Sequence, residues 1–332
     1  MDIQHNFQLQ TYNSFRTKAT AKLFAKPRTI DEIIELLKQY PNEKKLILGN
    51  GCNLFFTKPF DGLVIKPIIS GISVIDDNAE NVTIEVGAAQ DWDELVEYCV
   101  NRGWSGIENL SLIPGAVGAA PIQNIGAYGT EVKDVIVKVK TIEMATQAIK
   151  EFNNAECEFE YRNSIFKQTR NYIITSVIFQ LSKSFSYREK YIDLKKELAH
   201  TPSPTLKQVR EAIISIRKRK LPNHLEIPNA GSFFKNPIIT TAEKDSLLEA
   251  LPNAPIYNID TNSFKTSAAY LIDQAGYKGK RKGNVGTYEN HALIIVNYGS
   301  DDGNDIADFM HEIQKVVKTK YNIELEPEVW VF

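Results

Sequence analysis

The 332-residue chain is poor in cysteine, methionine and tryptophan, with three of each. Cys52, Cys99 and Cys157 are odd in number and follow no disulfide or metal-ligand spacing. That pattern excludes a disulfide-stapled secreted scaffold and fits a reduced, cytoplasmic setting. An excess of one charge is also missing: 39 basic and 41 acidic residues leave a formal net charge of -2. A nucleic-acid binder would show a basic field, so no nucleic-acid partner is expected. No apolar run approaches the ~20 residues that span a bilayer, and no membrane association is expected. Met1-Asp2-Ile3-Gln4-His5 lacks the charged and apolar regions of a signal peptide. His5, His200, His224, His291 and His311 are scattered without metal-ligand spacing, so no metal is expected. No internal repeat or low-complexity segment stands out.

Glycine, by contrast, is concentrated. The run from Glu108 to Gly129 holds Pro114-Gly115-Ala116-Val117-Gly118-Ala119-Ala120-Pro121 and Gln123-Asn124-Ile125-Gly126-Ala127-Tyr128-Gly129. Glycine in a helix or strand interior costs backbone entropy, so each glycine here marks unusual backbone or backbone laid against a ligand. Gln123 and Asn124 add donors and acceptors without fixed charge, suited to the edge of a heteroaromatic ring or to a pyrophosphate. A glycine-rich surface loop is the competing reading. An earlier segment tips the balance: the apolar strand Lys45-Leu46-Ile47-Leu48 runs into Gly49-Asn50-Gly51-Cys52-Asn53. A glycine turn after a strand exposes successive backbone N–H groups as an anion-binding nest. It is not the Rossmann fingerprint, because Leu54 stands where a third glycine belongs and no clear crossover helix follows. Two such loops together point to a bound dinucleotide.

Length and patterning predict two or three domains, since single cores stop growing beyond ~250–300 residues. A helix is predicted from Ile30 to Lys38, with Ile30, Ile33, Ile34 and Leu37 on one face and Thr29 and Glu32 at capping-box spacing. Val82–Val86 alternates as a strand, and a helix from Trp92 to Asn101 is opened by Asp91 and closed by Gly103. Val135, Val137 and Val139 alternate as one face of a hairpin strand, and Tyr172–Phe179 is a strong β segment. Pro202-Ser203-Pro204 is the clearest break, followed by Thr205 and Gln208 at capping-box spacing. The helix they open presents Val209, Ile213 and Ile216, then a basic end, Arg217-Lys218-Arg219-Lys220, read as a solvated face that complements the helix dipole. Helices follow near Glu243–Leu251 and Ile306–Lys318.

The chain resembles the UDP-N-acetylenolpyruvoylglucosamine reductase (MurB) family, in its longer-loop (type I) subclass. The resemblance is carried by Gly49–Asn53, by Ile113–Gly115 through Pro121–Gly129, and by Tyr161-Arg162-Asn163-Ser164-Ile165-Phe166-Lys167. It continues in Asn229-Ala230-Gly231-Ser232-Phe233-Phe234-Lys235-Asn236-Pro237, in Leu271–Gly276 and in Leu325-Glu326-Pro327-Glu328-Val329. The blocks stand in family order and span nearly the whole chain.

That resemblance implies an α+β fold: a two-lobed FAD-binding domain of the vanillyl-alcohol-oxidase/PCMH type over residues 1–205 (lobes about 1–68 and 69–205), then an α+β substrate-binding domain over 206–332 whose last strand returns toward the flavin. The implied reaction is NADPH-dependent, FAD-mediated reduction of UDP-N-acetylglucosamine enolpyruvate to UDP-N-acetylmuramate by a cytoplasmic enzyme, with the monomer as the expected state. FAD is expected to bind non-covalently through Gly49, Asn50, Gly51, Cys52 and Asn53, and through Ile113, Pro114, Gly115, Gly118, Ala119, Gln123, Asn124 and Gly126. Arg162 is the implied carboxylate clamp, because guanidinium matches a carboxylate bidentately. Ser232 is the implied proton donor and Glu328 the acid that hydrogen-bonds the developing enolate. Glu326 rivals Glu328 on the residues alone. Tyr128 is implied near the enolpyruvyl group, and Tyr191, Lys220, Lys235 and Asn236 at the uridine diphosphate and sugar. His291 stands where a contact to the nucleotide is possible, but a lone histidine before an apolar strand reads as structural. The chain departs from the family at Cys52, where serine is usual, and at Trp330, where a basic residue is more common. A sugar or alcohol oxidase on the same flavin scaffold, or a binding protein without catalysis, are the rival readings.

Overall fold

A computed structural model describes residues 1–187 and 191–332. The chain divides into two compact units, each assembled from separated stretches. The first holds Met1–Phe7, Ala21–Asn50 and Asp61–Arg219; the second holds Gln8–Thr20, Gly51–Phe60 and Lys220–Phe332.

Two sheets build the first unit. A four-stranded sheet takes the order Ile3–Gln8, Thr20–Ala25, Phe60–Ile65, Lys45–Ile47, with the last two parallel. The helix Ile30–Gln39 covers it, burying Ile33, Leu36 and Leu37 against Leu23, Leu63 and Ile65. Half of its predicted capping box forms: the Glu32 N–H donates to Thr29 Oγ1 at 3.1 Å, but the Glu32 carboxylate accepts from the Arg28 N–H, one residue before the cap, instead of from Thr29. A five-stranded antiparallel sheet has the order Ile149–Asn153, Ile136–Glu143, Tyr172–Ser182, Asn81–Gly87, Ile72–Asp77. Tyr172–Ser182 is central and is buried along most of its length, which its unbroken apolar run anticipates.

The valine alternation at 135–139 is corrected by the structure. Ile136 and Val139 face the core, and Val137 is exposed. The register against Tyr172–Ser182 slips between Ile136 and Lys138, and such a bulge moves the following side chains to the opposite face.

The helix Trp92–Val100 starts as expected, with Asp91 Oδ1 accepting from the Asp93 and Glu94 N–H groups. Trp92 is fully buried and its Nε1 donates to the Leu110 carbonyl at 2.9 Å, pinning the start of the glycine-rich run to the sheet. The helix Leu206–Lys220 opens on the predicted cap, where the Thr205 N–H donates to Gln208 Oε1 at 2.9 Å and the Gln208 N–H to Thr205 Oγ1 at 3.3 Å.

In the second unit a four-stranded sheet runs Asn229–Ser232, His291–Asn297, Val285–Tyr288, Arg281–Lys282. A three-stranded sheet runs Ile238–Thr240, Ser263–Thr266, Ile256–Asn258, and Leu54–Phe55 pairs in parallel with Trp330–Val331. The helices are Thr241–Ala250, Ala268–Gln274 and Gly303–Tyr321. The last buries Ile306, Phe309, Ile313 and Val317, the apolar face its periodicity predicts. Phe15 and Phe55 enter this core although they come from the first sixth of the chain, Phe15 edge-on to both Phe55 and Phe233, and Phe55 tilted against Phe233.

Candidate active site

In the first unit, the glycine-rich run is a loop of short 3-10 turns, Glu108–Leu110 and Val117–Ala119, and a two-residue hairpin, Gly126–Ala127 with Thr130–Glu131. Its glycines have separate reasons. Gly118 lies so close to Ala88 that a Cβ would press on the Ala88 Cβ at 2.6 Å. Gly115 holds φ +141° with nothing within 4 Å of where a Cβ would stand. Gly49, at the end of the strand Lys45–Ile47, has only the Cβ atoms of Ala119 and Ala116 beside it, at 3.7 and 3.8 Å. Two stretches of small-residue backbone therefore face each other at Gly49 and Ala116–Ala119, with Asn50, Pro114 and Ala119 exposed at the surface. Backbone without side-chain bulk is what close approach of a dinucleotide demands, so these residues fit FAD.

Asn124 differs from the sequence reading. Its side chain is fully buried, Nδ2 donating to the Glu160 carbonyl and Oδ1 accepting from the Lys133 N–H, both at 3.1 Å. It stitches the loop to its surroundings, and its carbonyl accepts from Arg162 Nη1. Asn109 does the same for Tyr128 and Thr130, at 3.1 Å to each.

Arg162 sits beside this loop. Its Nη2 donates to the Gly126 carbonyl at 2.6 Å and its Nη1 to the Asn124 carbonyl at 3.2 Å, with Glu131 3.8 Å from Nη1. A Cβ at Gly126 would stand 2.9 Å from Nη1, so glycine there makes room for the guanidinium. Ser164 Oγ donates to the Ile122 carbonyl at 2.7 Å, and Lys167 Nζ to the Arg162 carbonyl at 3.0 Å. The Tyr161–Lys167 block is thus a brace for the loop as well as the carrier of Arg162. Asn124, Tyr128 and Arg162 all hold left-handed backbone, at φ 44°, 48° and 55°.

Tyr128 and Tyr191 pack edge to face at 5.4 Å, with Tyr191 exposed. Burial pushes the Tyr128 hydroxyl above its ordinary pKa. Behind them the helix Leu206–Lys220 contributes Val209, Ile213 and Ile216 to a small core shared with Leu194 and Leu198.

Sequence reading passed over Asp93 and Arg210. Arg210 Nη1 and Nη2 meet the two Asp93 oxygens at 2.7 and 3.1 Å, and the Leu112 N–H donates to Asp93 Oδ1 at 2.5 Å. Burial pulls the Asp93 carboxyl up, but Arg210 and the Leu112 N–H outweigh it and hold it below the usual carboxylate range. The pair anchors the helix to the glycine-rich loop. Nothing in sequence marks it, since the partners lie far apart in the chain.

In the second unit the structure brings Ser232 and Glu328 together. Glu328 N–H donates to the Phe233 carbonyl at 2.8 Å and Lys235 N–H to the Glu326 carbonyl at 2.9 Å, so the terminal segment pairs with the residues just after Ser232. Ser232 is exposed at the end of its strand, following Gly231 at φ +71°. Glu326 points away: its carboxylate is bound by Lys235 Nζ at 2.5 Å and is largely solvated. Asn53 borders the same segment, its Nδ2 donating to the Glu328 carbonyl at 3.2 Å and its carbonyl accepting from the Trp330 N–H at 3.0 Å. Gly51 is required here, because at φ +71° a Cβ would overlap the Tyr12 carbonyl oxygen. Cys52 is half-buried and in no disulfide.

Asn236 Oδ1 accepts from the Ala268 N–H at 3.0 Å, capping the start of the helix Ala268–Gln274. Lys220 acts electrostatically on His291, as does Lys278; burial first and those two charges next depress the His291 pKa. Among the described residues no cluster could hold a metal ion.

Residues 21–151 match the FAD binding domain family, and residues 222–332 match the C-terminal domain of UDP-N-acetylenolpyruvoylglucosamine reductase. The UDP-N-acetylenolpyruvoylglucosamine reductase of Flavobacterium johnsoniae is 43% identical over 334 residues, covering 99% of each chain. That of Amoebophilus asiaticus is 42% identical, again with 99% of each chain covered. Among solved structures, the UDP-N-acetylenolpyruvylglucosamine reductase of Thermus caldophilus superimposes with a TM-score of 0.70 over 100% of this chain and 98% of its own. At 23% identity that likeness concerns the fold.

Proposed function

Because the chain belongs to the UDP-N-acetylenolpyruvoylglucosamine reductase family, we propose that it reduces UDP-N-acetylglucosamine enolpyruvate to UDP-N-acetylmuramate with NADPH, a step of peptidoglycan precursor synthesis. The FAD binding domain is present, and FAD supplies a two-electron relay between NADPH and the substrate. Gly49–Asn53 and the Ile113–Gly126 backbone hold it, with Gly115, Gly118 and Ala119 giving close approach and Gln123 a polar edge. In place of a single boundary at residue 205, the first unit, which runs on to Arg219, is the flavin domain of this reading, and the second unit, which also draws in Gln8–Thr20 and Gly51–Phe60, is the substrate domain.

The rest is the work of side chains. Hydride addition to the terminal carbon of the enolpyruvyl group turns its carboxylate into a dianionic enolate. Arg162, always charged, holds that carboxylate, and Glu328 in its acid form donates a hydrogen bond to it. Ser232 delivers the proton to the carbon bearing the carboxylate, completing the lactyl ether. Tyr128 lies at the enolpyruvyl group, and Tyr191, Lys220, Lys235 and Asn236 hold the uridine diphosphate and sugar. Tyr191, set against Tyr128, supports the longer-loop subclass. A cytoplasmic monomer without membrane attachment is the state we favour; among the described residues no helix is long and apolar enough to cross a membrane.

The observation that carries this reading is the backbone pairing of the Glu328 segment with the residues that follow Ser232, the Glu328 N–H donating to the Phe233 carbonyl at 2.8 Å. Purified protein should be yellow, be bleached anaerobically by NADPH, and regain its colour on adding the enolpyruvyl substrate with formation of the lactyl ether. Recovery of colour with oxygen but not with that substrate would make it an oxidase instead.

A further inference from the structure

Lys66 stands directly after the strand Phe60–Ile65 and before Pro67. Its backbone has little freedom, because the Lys66 N–H donates to the Ala25 carbonyl at 2.9 Å and the following proline keeps the residue extended. The strand Lys45–Ile47 runs beside Phe60–Ile65 in parallel, and the pairing continues one step further, from the Leu48 N–H to the Ile65 carbonyl at 2.8 Å. Both strands therefore end at the same level, and Lys66 reaches the glycine turn that follows its neighbour. There Lys66 Nζ donates to the Gly49 carbonyl at 2.6 Å. All of these residues, together with Ala116 and Ala119 beside Gly49, belong to the first unit. A lysine head is strongly hydrated and ordinarily extends into water. This one is half-buried and bound to the backbone, and nothing in the sequence marks it.

The Gly49–Asn50 peptide is trans and planar, so its C=O and N–H point in opposite directions. With the carbonyl held by Lys66, the Asn50 N–H is directed away from the ammonium. Glycine, without a side chain, leaves that peptide free to rotate, and the ammonium removes the freedom. A charge-assisted bond to the carbonyl also polarises the peptide and strengthens its N–H as a donor. We propose that Lys66 is a positioning residue for the cofactor, holding the Gly49–Asn50 peptide so that the Asn50 N–H meets the diphosphate of FAD. The proposal rests on FAD as the cofactor of the function given above, and adds to the glycine turn the group that orients its first donor. The positive charge of Lys66 acts in the same direction, adding to the attraction of the turn for an anion.

The test removes and restores FAD on the full-length chain carrying Lys66→Met or Lys66→Arg. Methionine keeps an unbranched stem and loses the charge and the donors, whereas arginine keeps both. Titration followed by flavin fluorescence should show FAD held roughly ten- to a hundred-fold more weakly by Lys66→Met, the loss expected for a charge-assisted hydrogen bond, with Lys66→Arg nearer the parent. ADP, which offers a diphosphate without the isoalloxazine ring, should lose affinity by a similar factor. Calorimetry separates positioning from support of the fold: flavin-free Lys66→Met should melt at the parent's temperature, and only the rise in Tm that FAD brings should shrink. An FAD affinity equal to the parent's, or a flavin-free Tm that falls as far as the FAD-loaded one, overturns the proposal. A parent chain that takes up no FAD would instead strike at the function itself.

Discussion

Asn124, Tyr128 and Arg162 hold left-handed backbone, a conformation costing about 1–3 kcal/mol for each non-glycine residue and found where a site over-determines its geometry. These are three of the residues that sequence reading had assigned to cofactor, substrate and clamp. Sequence reading singles them out because small-residue runs and the Tyr161–Lys167 block are rare patterns. The inward turn of the Arg217 Nε is not legible, because a basic helix end has the same sequence whether its nitrogens meet water or the protein. Ser232 makes the sharpest prediction at this scale. Its hydroxyl is needed only when the substrate carbon takes its proton, so Ser232→Ala should leave flavin reduction by NADPH near the parent rate. Flavin reoxidation by the enolpyruvyl substrate should slow by at least the ~10²–10⁴-fold typical of a lost general acid. Rapid mixing of the two half-reactions separates them, and an equal rate of reoxidation in both enzymes would remove Ser232 from the chemistry.

The longer helices are read from periodicity and caps, since both are local, with Thr29 and Thr205 each accepting from the residue three positions on, while the short helices Ile165–Thr169, Ile192–Glu197 and Ala268–Gln274 give too few turns to show a period. Strand faces were less readable. The bulge at Ile136 that turns Val137 outward depends on the neighbouring strand, which local sequence does not announce. One element carries a pH dependence. Glu312, on the helix Gly303–Tyr321, accepts from the Tyr277 hydroxyl at 2.6 Å and meets Lys282 at 2.7 Å and Lys280 at 3.3 Å. Lys282 and then Tyr277 hold its carboxyl down at about 2. A carboxyl lowered on folding stabilises the fold fully above its ordinary value of 4.5 and loses that contribution as pH falls toward about 2. The Tm advantage of the parent over Glu312→Gln should therefore be constant from pH 7 to 5 and shrink between pH 4.5 and 3. An advantage that persists unchanged to pH 3 would show that the node does not hold the helix.

At the scale of the molecule, neither composition nor periodicity reveals that Gln8–Thr20 and Gly51–Phe60 fold with the last third of the chain. Pro202-Ser203-Pro204 reads as a clean break, yet the core beyond it includes Phe15 and Phe55. A chain cut to residues 206–332 should consequently lack a cooperative thermal transition, for want of two large buried rings and of the partner strand Leu54–Phe55. Calorimetry on that piece decides it, a sharp endotherm being the contrary result.

The same discontinuity sets a clock during synthesis. Phe55 leaves the ribosome roughly 180 residues before Phe233, the ring it packs against, and at ~5–20 residues per second that is on the order of ten to thirty-five seconds. For that interval two segments rich in phenylalanine lie in a nascent chain with no core to enter. The second unit can close only when translation is nearly over, so its yield in a cell will track how well those early aromatics are shielded while they wait.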